Sequence, residues 1–250
     1  GTQDCTNKFA ASEAVFGSST IHPIPDIDNT DFLLIFGANP RVSHMSFISI
    51  ADPMESLRAA SKRGADIRFV DPRHNESIKG IGTHIPVKPD TDVYLMAAIL
   101  HHLFDQDMVN HEYIQDHADH IEGLRSFIKE YSPQQVASIV GISAQSIAAL
   151  ADDIGAAKSA AFYMSTGVNM GRQGSLAYWL LFMLSVVTGN LDKPGGNVYS
   201  RGFYPAAKAG RRQGEIKYEP TPLGDVRRIR GSLPGNLMAD MILAEDNPIK

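Results

Sequence analysis

Three short segments carry residue types that can bind a phosphorylated, hydrogen-bonding ligand. Gly37-Ala38-Asn39-Pro40 joins a glycine, which lets the backbone turn tightly beside a ligand, to an asparagine whose amide both donates and accepts. Asp71-Pro72-Arg73 supplies an acidic residue that can accept from a ribose hydroxyl or a purine amino group. Pro89-Asp90-Thr91-Asp92 is a polar helix start with two further acceptors. Each also has an ordinary structural explanation, because Gly-X-Asn-Pro is a plain turn and aspartate before proline is a common cap. The glycine-rich nicotinamide fingerprint is absent: Gly37-Ala38-Asn39 lacks the second glycine, and Asp71 lies 34 residues after Gly37 rather than ~20. The pattern reads as a nucleotide-like ligand without a standard nicotinamide site.

The elements that must position these segments alternate between strand and helix. Asp31-Phe32-Leu33-Leu34-Ile35-Phe36 is a continuous apolar run ending at Gly37, as in a strand covered on both faces. Asp52 as N-cap and Pro53 at the first helical position open a helix that stops at Gly64. Ile67-Arg68-Phe69-Val70 reads as a second buried strand, and Ile85-Pro86-Val87 as a very short third. Thr91-Asp92 is expected to cap a long helix with Val93, Leu95, Met96, Ile99, Leu100, Leu103 and Phe104 on its apolar face. Residues 110–158 read as three or four helices, 160–164 as strand, and 176–187 as a helix ended by Gly189. From Pro194 onward the expected structure is largely irregular. Gly195, Gly196, Gly202, Gly210, Gly214 and Gly224 mix there with Arg211, Arg212, Arg227, Arg228 and Arg230, and only 236–244 reads as helix. The alternation predicts an α/β fold: a doubly wound, mostly parallel Rossmann-like sheet with helices on both faces and ligands beyond the strands' carboxyl ends.

Composition narrows the function classes. The 250 residues are 43% hydrophobic and 20% charged, which excludes a disordered chain. A net charge of −5 gives no bulk attraction to nucleic acid or to an anionic membrane. The single cysteine, Cys5, excludes a disulfide framework or a multi-thiolate metal site within these residues. The longest apolar run, 176–187, is shorter than the ~20 residues a bilayer span needs. No basic, apolar leader opens the sequence, so no signal peptide is expected, and no internal repeat is visible.

Five motifs in one order resemble a known family. They are Asp28-Asn29-Thr30-Asp31 running through Gly37-Ala38-Asn39-Pro40 to Ser43-His44, then Val70-Asp71-Pro72-Arg73, then Pro89-Asp90-Thr91-Asp92. Thr166-Gly167-Val168-Asn169-Met170 with Gly174, and Thr188-Gly189-Asn190-Leu191-Asp192-Lys193-Pro194-Gly195-Gly196, complete the set. Together they resemble the molybdopterin oxidoreductases of the dimethyl sulfoxide reductase family. The resemblance implies a bis(molybdopterin guanine dinucleotide) cofactor carrying molybdenum or tungsten, and two-electron oxo or hydride transfer on a small-molecule substrate. Carried over by position, Gly37, Asn39 and Ser43 would line phosphates and ribose, with Asn7 also against the cofactor. Asp71 and Arg73 would meet one guanosine. Asp90 and Asp92 would reach the guanine edge, whose N1–H and exocyclic amine are adjacent donors that one carboxylate can accept together. Thr166, Gly167, Asn169 and Met170 would approach the pterin.

The departures from the family pattern matter too. The family often supplies a metal ligand a few residues after the segment matching Asp4-Cys5, and here that window reads Asn7-Lys8-Phe9-Ala10-Ala11-Ser12. Either Ser12 ligates in a shifted register or the metal takes no protein ligand; Cys5 lies too early. The iron–sulfur segment and the second guanosine site are absent. The chain is therefore expected to be a piece of a larger catalytic subunit: a dinucleotide-binding domain over 1–165 and the start of a second cofactor domain over 166–250. A four-iron four-sulfur cluster, if present, would belong to a preceding region. The remaining domains, and possible electron-transfer subunits, would be the partners. Two alternatives stay open, a non-redox hydratase or transhydroxylase on the same cofactor and a nucleotide-binding module without redox chemistry.

The remaining polar and aromatic features have plainer expectations. His101, His102, His111, His117 and His120 read as helix-surface residues, and Trp179 as core. His44 stands beside the phosphate loop. Lys8 reads as a cation that could steer an anionic substrate, and the arginines after 210 as a solvated loop.

Overall fold

The structure, a computed structural model, describes residues 4–46, 48, 50–199 and 218–246. Gly202, Gly210, Gly214, Arg211, Arg212 and the closing Asn247-Pro248-Ile249-Lys250 lie outside the described residues. At the centre is a four-stranded parallel sheet built from β2 (Phe32–Phe36), β3 (Asp66–Val70), β4 (Thr83–Ile85) and β5 (Ala160–Met164), in the spatial order β4-β3-β2-β5. Alternation along the strands sends side chains to two cores. Phe32, Leu34 and Phe36 of β2 and Phe162 and Met164 of β5 face one core, while Leu33, Ile35, Ala161 and Tyr163 face the other. The first core is closed by α4 (Asp92–Asp105), α7 (Pro133–Val140), α8 (Ala144–Ala156) and α10 (Gly174–Val187), the second by α3 (Pro53–Arg63) through Met54, Leu57 and Ala60. Burial on both faces explains the unbroken apolar runs of β2 and β5.

The cap and stop expected for α3 are present. Asp52 accepts from the Glu55 N–H at 2.9 Å, and Gly64 closes α3 with φ 101°. Ser132 and Gln135 form a reciprocal capping box at the start of α7, and Ser143 caps α8. The segment 110–158 holds four helices, α5 (His111–His117), α6 (Ile121–Ile128), α7 and α8.

Several local expectations need correction. The third strand is 83–85, not 85–87: Pro86 has no N–H to continue the ladder, and pairing ends with Val70 opposite Ile85. Thr91 does not cap α4, because its hydroxyl turns back to the Lys88 carbonyl at 2.6 Å. The tail is less irregular than expected. Strands β7 (Tyr218–Thr221) and β8 (Gly224–Arg227) form a hairpin, followed by a short 3₁₀ turn and a helix, α11 (Met238–Leu243). Two elements near the N-terminus had no sequence signal: α1 (Thr6–Phe16) and β1 (Pro23–Pro25), the latter antiparallel to β6 (Asn197–Tyr199).

The boundary expected at residue 165 falls between β5 and a helix that shares its core, since Ala177, Leu180, Leu181 and Leu184 of α10 belong to the same buried cluster as Phe162. The Thr188–Gly196 motif, with Asn197 after it, seals the free edge of β5. The Asn190 side chain accepts from the Ala160 N–H at 3.1 Å. Asn197 accepts from the Phe162 N–H and donates to the Phe162 carbonyl, both at 2.8 Å, so its amide acts as one residue of a missing neighbouring strand. Among the described residues no single helix is long and apolar enough to cross a membrane.

Candidate functional site

Strand order runs β2 to β3 to β4 in one direction and then returns to place β5 on the other side of β2, so the reversal lies between β2 and β5. Ligands of open α/β sheets bind at this place, beyond the strands' carboxyl ends. Two glycines meet there. Gly37 follows β2 with φ 52°, and Gly167 is the second residue of the four-residue helix α9 (Thr166–Asn169) after β5. The Gly167 N–H donates to the Gly37 carbonyl at 3.0 Å. A Cβ on Gly37 would stand 2.8 Å from the Val168 nitrogen, and one on Gly167 would stand 2.9 Å from Gly37 Cα. Glycine is thus required by the close approach of the two loops, whose backbones pair with each other here.

The loops after β2 and β3 are stitched side by side. Asn75 donates to the Ala38 carbonyl and to Asp71 Oδ2, both at 3.0 Å, while Asp71 Oδ1 accepts the Arg73 N–H at 2.8 Å. Asp71 is therefore first a turn-former, rather than the helix cap of its plainer explanation. Ser77 donates to Asn39 Oδ1 at 2.6 Å, which fixes the amide so that its NH₂ points at Glu76 Oε2, also at 2.6 Å. Arg73 grips the same Glu76 carboxylate with two nitrogens at 3.0 and 3.2 Å. The Arg73 guanidinium holds the Glu76 carboxyl down at about 2, with its own backbone N–H and Asn39 contributing. Ser43 ends the short helix α2 (Pro40–Ser43), exposed, its hydroxyl on the Asn39 carbonyl at 3.2 Å. His44 beside it is exposed and left-handed, with φ 53°.

A second corner is acidic. Asp90 has φ 63° and accepts the Arg172 N–H at 3.0 Å, which ties the loop before α4 to the loop after α9. Asp92, at the first turn of α4, is buried, and that burial pushes its carboxyl up to about 6, with the charges of Asp71 and Asp90 adding to the effect. Asp90, Asp92, Val168 and Gln173 line one small pocket.

The start of α1 packs against the segment after β5. Thr166 donates to Asp4 at 2.6 Å, Asn7 donates to the Asn169 carbonyl at 2.5 Å, and Ser175 donates to Asn7 Oδ1 at 3.0 Å. Asn7 thus holds the loop from below. Asn169 is buried, and its side-chain oxygen has no hydrogen-bond partner in the protein, while Met170 is 66% exposed at the rim. A buried acceptor left unsatisfied costs ~1–3 kcal/mol, which marks the segment as shaped for something beyond its own packing.

Two expectations at this end are corrected. Ser12 is fully buried and its hydroxyl points to the carbonyls of Ser18, at 2.8 Å, and Ile21; it is not presented to the strand ends. Lys8 is not a surface cation. It is buried, donates to the Met164 carbonyl and lies 5.1 and 5.3 Å from the ring centroids of Tyr163 and Tyr178. Burial lowers its amine to about 7. Neighbouring His22, bonded to the Tyr178 hydroxyl at 3.0 Å, is pushed down to about 4 by the same burial. Cys5 is half-buried at the head of α1, its thiol pushed up by burial and then by Asp4. Among the described residues no group of three or more His, Cys, Asp or Glu is placed to hold a metal ion.

The residues missed by sequence reasoning are Asn75, Glu76 and Ser77, which bind the first two loops together. Their signal was a cluster of turn-forming polar residues directly after Asp71-Pro72-Arg73.

A model of the molybdopterin oxidoreductase domain matches residues 2–238, a span that includes every loop at the strand ends. The chain belongs to the molybdopterin oxidoreductase family. Formate dehydrogenase H of Escherichia coli is 31% identical over 186 residues, covering 74% of this chain and 25% of that protein. Dimethyl sulfoxide reductase DmsA of Haemophilus influenzae is 29% identical over 196 residues, covering 70% of this chain and 24% of that protein. Acetylene hydratase from Pelobacter acetylenicus shares the fold, with a TM-score of 0.64 at 19% identity over 74% of this chain and 24% of that one. The chain spans about a quarter of the length of these molybdopterin oxidoreductase relatives. The family implies a molybdenum or tungsten pterin cofactor, and the orphaned, buried Asn169 oxygen in the loop after β5 fits a polar ligand there.

Proposed function

We propose that this chain is the part of a molybdenum- or tungsten-dependent oxidoreductase subunit that holds one guanine dinucleotide arm of a bis(molybdopterin guanine dinucleotide) cofactor. The supporting observation is the convergence, at one sheet reversal, of the orphaned Asn169 oxygen, fixed donors at Asn39 and Arg73, and an acidic corner at Asp71, Asp90 and Asp92. Donors suit a diphosphate, and paired carboxylates suit the adjacent N–H groups of guanine. Ser43 stands at the exposed rim of the phosphate side, and Thr166, Asn169 and Met170 at the pterin side, with Asn7 positioning them from α1. When bound, the metal–pterin group supplies two-electron redox chemistry on a small substrate.

The chain's own contribution is binding and orientation. Arg73 neutralises phosphate charge, the Asn39 amide donates to a phosphate oxygen, Asp71 sets the turn that presents Arg73, and Asn7 of α1 with Asp4 before it holds residues 166–170. Ser12 has no part in this reading, so the metal takes no ligand from that side chain. The remaining domains of the same subunit, any iron–sulfur cluster and any electron-transfer partner belong to the same proposal. Asp71→Ala in the full-length enzyme should lower cofactor occupancy roughly tenfold in affinity, since a charge-assisted hydrogen bond is worth ~1.5–3 kcal/mol. Metal content of the purified variant tests it, and content equal to wild type contradicts the assignment.

A further inference from the structure

Glu76 presents an unusual arrangement for an exposed carboxylate. Donors from two different strand ends converge on it: the Asn39 amide after β2 and the Arg73 guanidinium after β3. Each donor is itself held in place from behind. Ser77 fixes the Asn39 amide orientation, and Asp71 fixes the Arg73 backbone. One carboxylate accepting a two-nitrogen guanidinium contact and an amide N–H has the acceptor geometry of one face of a phosphate group. Yet this carboxylate is on the surface, with Arg73 and Glu76 side chains 63% and 53% exposed. A pair so exposed is weakly held and readily exchanged for a stronger anion.

We propose that Glu76 is a built-in occupant of the anion position, keeping Asn39 and Arg73 oriented until the diphosphate of a guanine nucleotide displaces it. This rests on the nucleotide-binding reading given above and adds a residue that sets affinity rather than one that contacts the ligand. Exchange of partners leaves no buried charge uncompensated: the guanidinium passes from carboxylate to phosphate, and the released carboxylate turns to water. Held below the ordinary carboxylate range by Arg73, the Glu76 carboxyl stays charged around neutral pH and competes there. Removing its charge removes both the competitor and the repulsion it exerts on an arriving phosphate.

Calorimetric titration of guanosine 5′-diphosphate into the 250-residue chain tests this, with wild type, Glu76→Gln and Arg73→Ala at one fixed salt concentration. Glu76→Gln is expected to bind roughly three- to tenfold tighter than wild type, and Arg73→Ala several-fold weaker. Inorganic pyrophosphate should show the same ordering, because the exchange concerns phosphate and not the base. Wild-type binding with Glu76→Gln unchanged or weaker overturns the proposal and leaves the nucleotide site standing, with Glu76 then a strut. Absence of binding by every variant contradicts the nucleotide site itself and the proposal with it.

Discussion

The Gly167 N–H meets the Gly37 carbonyl at 3.0 Å, and this one contact joins the ends of β2 and β5 at the point where the sheet reverses direction. Neither residue can carry a side chain without parting the loops, since each Cβ would stand under 3.0 Å from backbone atoms of the other loop. Gly37→Ala combines that clash with a left-handed backbone that costs ~1–2 kcal/mol for a non-glycine residue. The expected loss is about 2–3 kcal/mol, read as a lowered urea midpoint, and an unchanged midpoint would show that the loops separate freely.

Asn197 should prove structural. Replacing it by alanine strips the Phe162 N–H and carbonyl of their partners inside the protein, where each unsatisfied group costs ~1–3 kcal/mol. Asn197→Ala is expected to destabilise by about 3 kcal/mol. Asn197→Asp, which can accept from Phe162 but cannot donate, should also destabilise. A neutral result for the aspartate would mean that the edge of β5 finds other partners.

How much of this was legible differs by element. The buried strands announced themselves because burial on both faces forces runs such as Phe32-Leu33-Leu34-Ile35-Phe36, and β2 lies where it was expected. Helix α1 stayed hidden because its buried face carries Lys8 and Ser12 beside Phe9 and Ala11, which breaks the apolar stripe that betrays a helix. Of the site, the loops after β2, β3 and β5 were legible because sheet topology puts functional residues at strand ends. Glu76 was not, because its meaning depends on two loops 37 residues apart in sequence meeting on one carboxylate. Lys8 was misplaced for a similar reason: composition makes a lysine look exposed, and only tertiary packing against Tyr163 and Tyr178 buries it.

Two buried groups should shape stability against pH in opposite directions. Folded Asp92 holds its proton up to about 6, above its ordinary 3.8, so the folded state binds more protons in that window. Stability should therefore fall as pH rises from about 4 to 6, by at most about 3 kcal/mol. Folded Lys8 releases its proton near 7, well below its ordinary 10.5, so the unfolded chain binds more protons between those values. Stability should rise with pH from about 7 to 10. Urea midpoints across pH should show Asp92→Asn flattening the acid limb and Lys8→Met the alkaline one. Limbs that persist in those variants would assign the dependence to other groups.

Ser12→Ala should weaken the fold slightly, by about 1 kcal/mol for its lost hydrogen bonding to Ser18 and Ile21. In the full-length enzyme it should leave metal coordination unchanged. X-ray absorption on wild type and variant checks this, and loss of a short metal–oxygen contact in the variant would restore serine as the ligand.

Binding of a guanine nucleotide at the sheet reversal can be read by mapping amide shifts of the isotope-labelled chain during titration with guanosine 5′-diphosphate, alongside adenosine 5′-diphosphate. Saturable shifts are expected at Gly37, Asn39, Asp71, Arg73 and Gly167, larger for the guanine nucleotide. None are expected around the cavity of about 750 Å³ lined by Phe16, Trp179 and Met183. Shifts confined to that cavity, or equal responses to both nucleotides, would contradict a guanine site at the reversal.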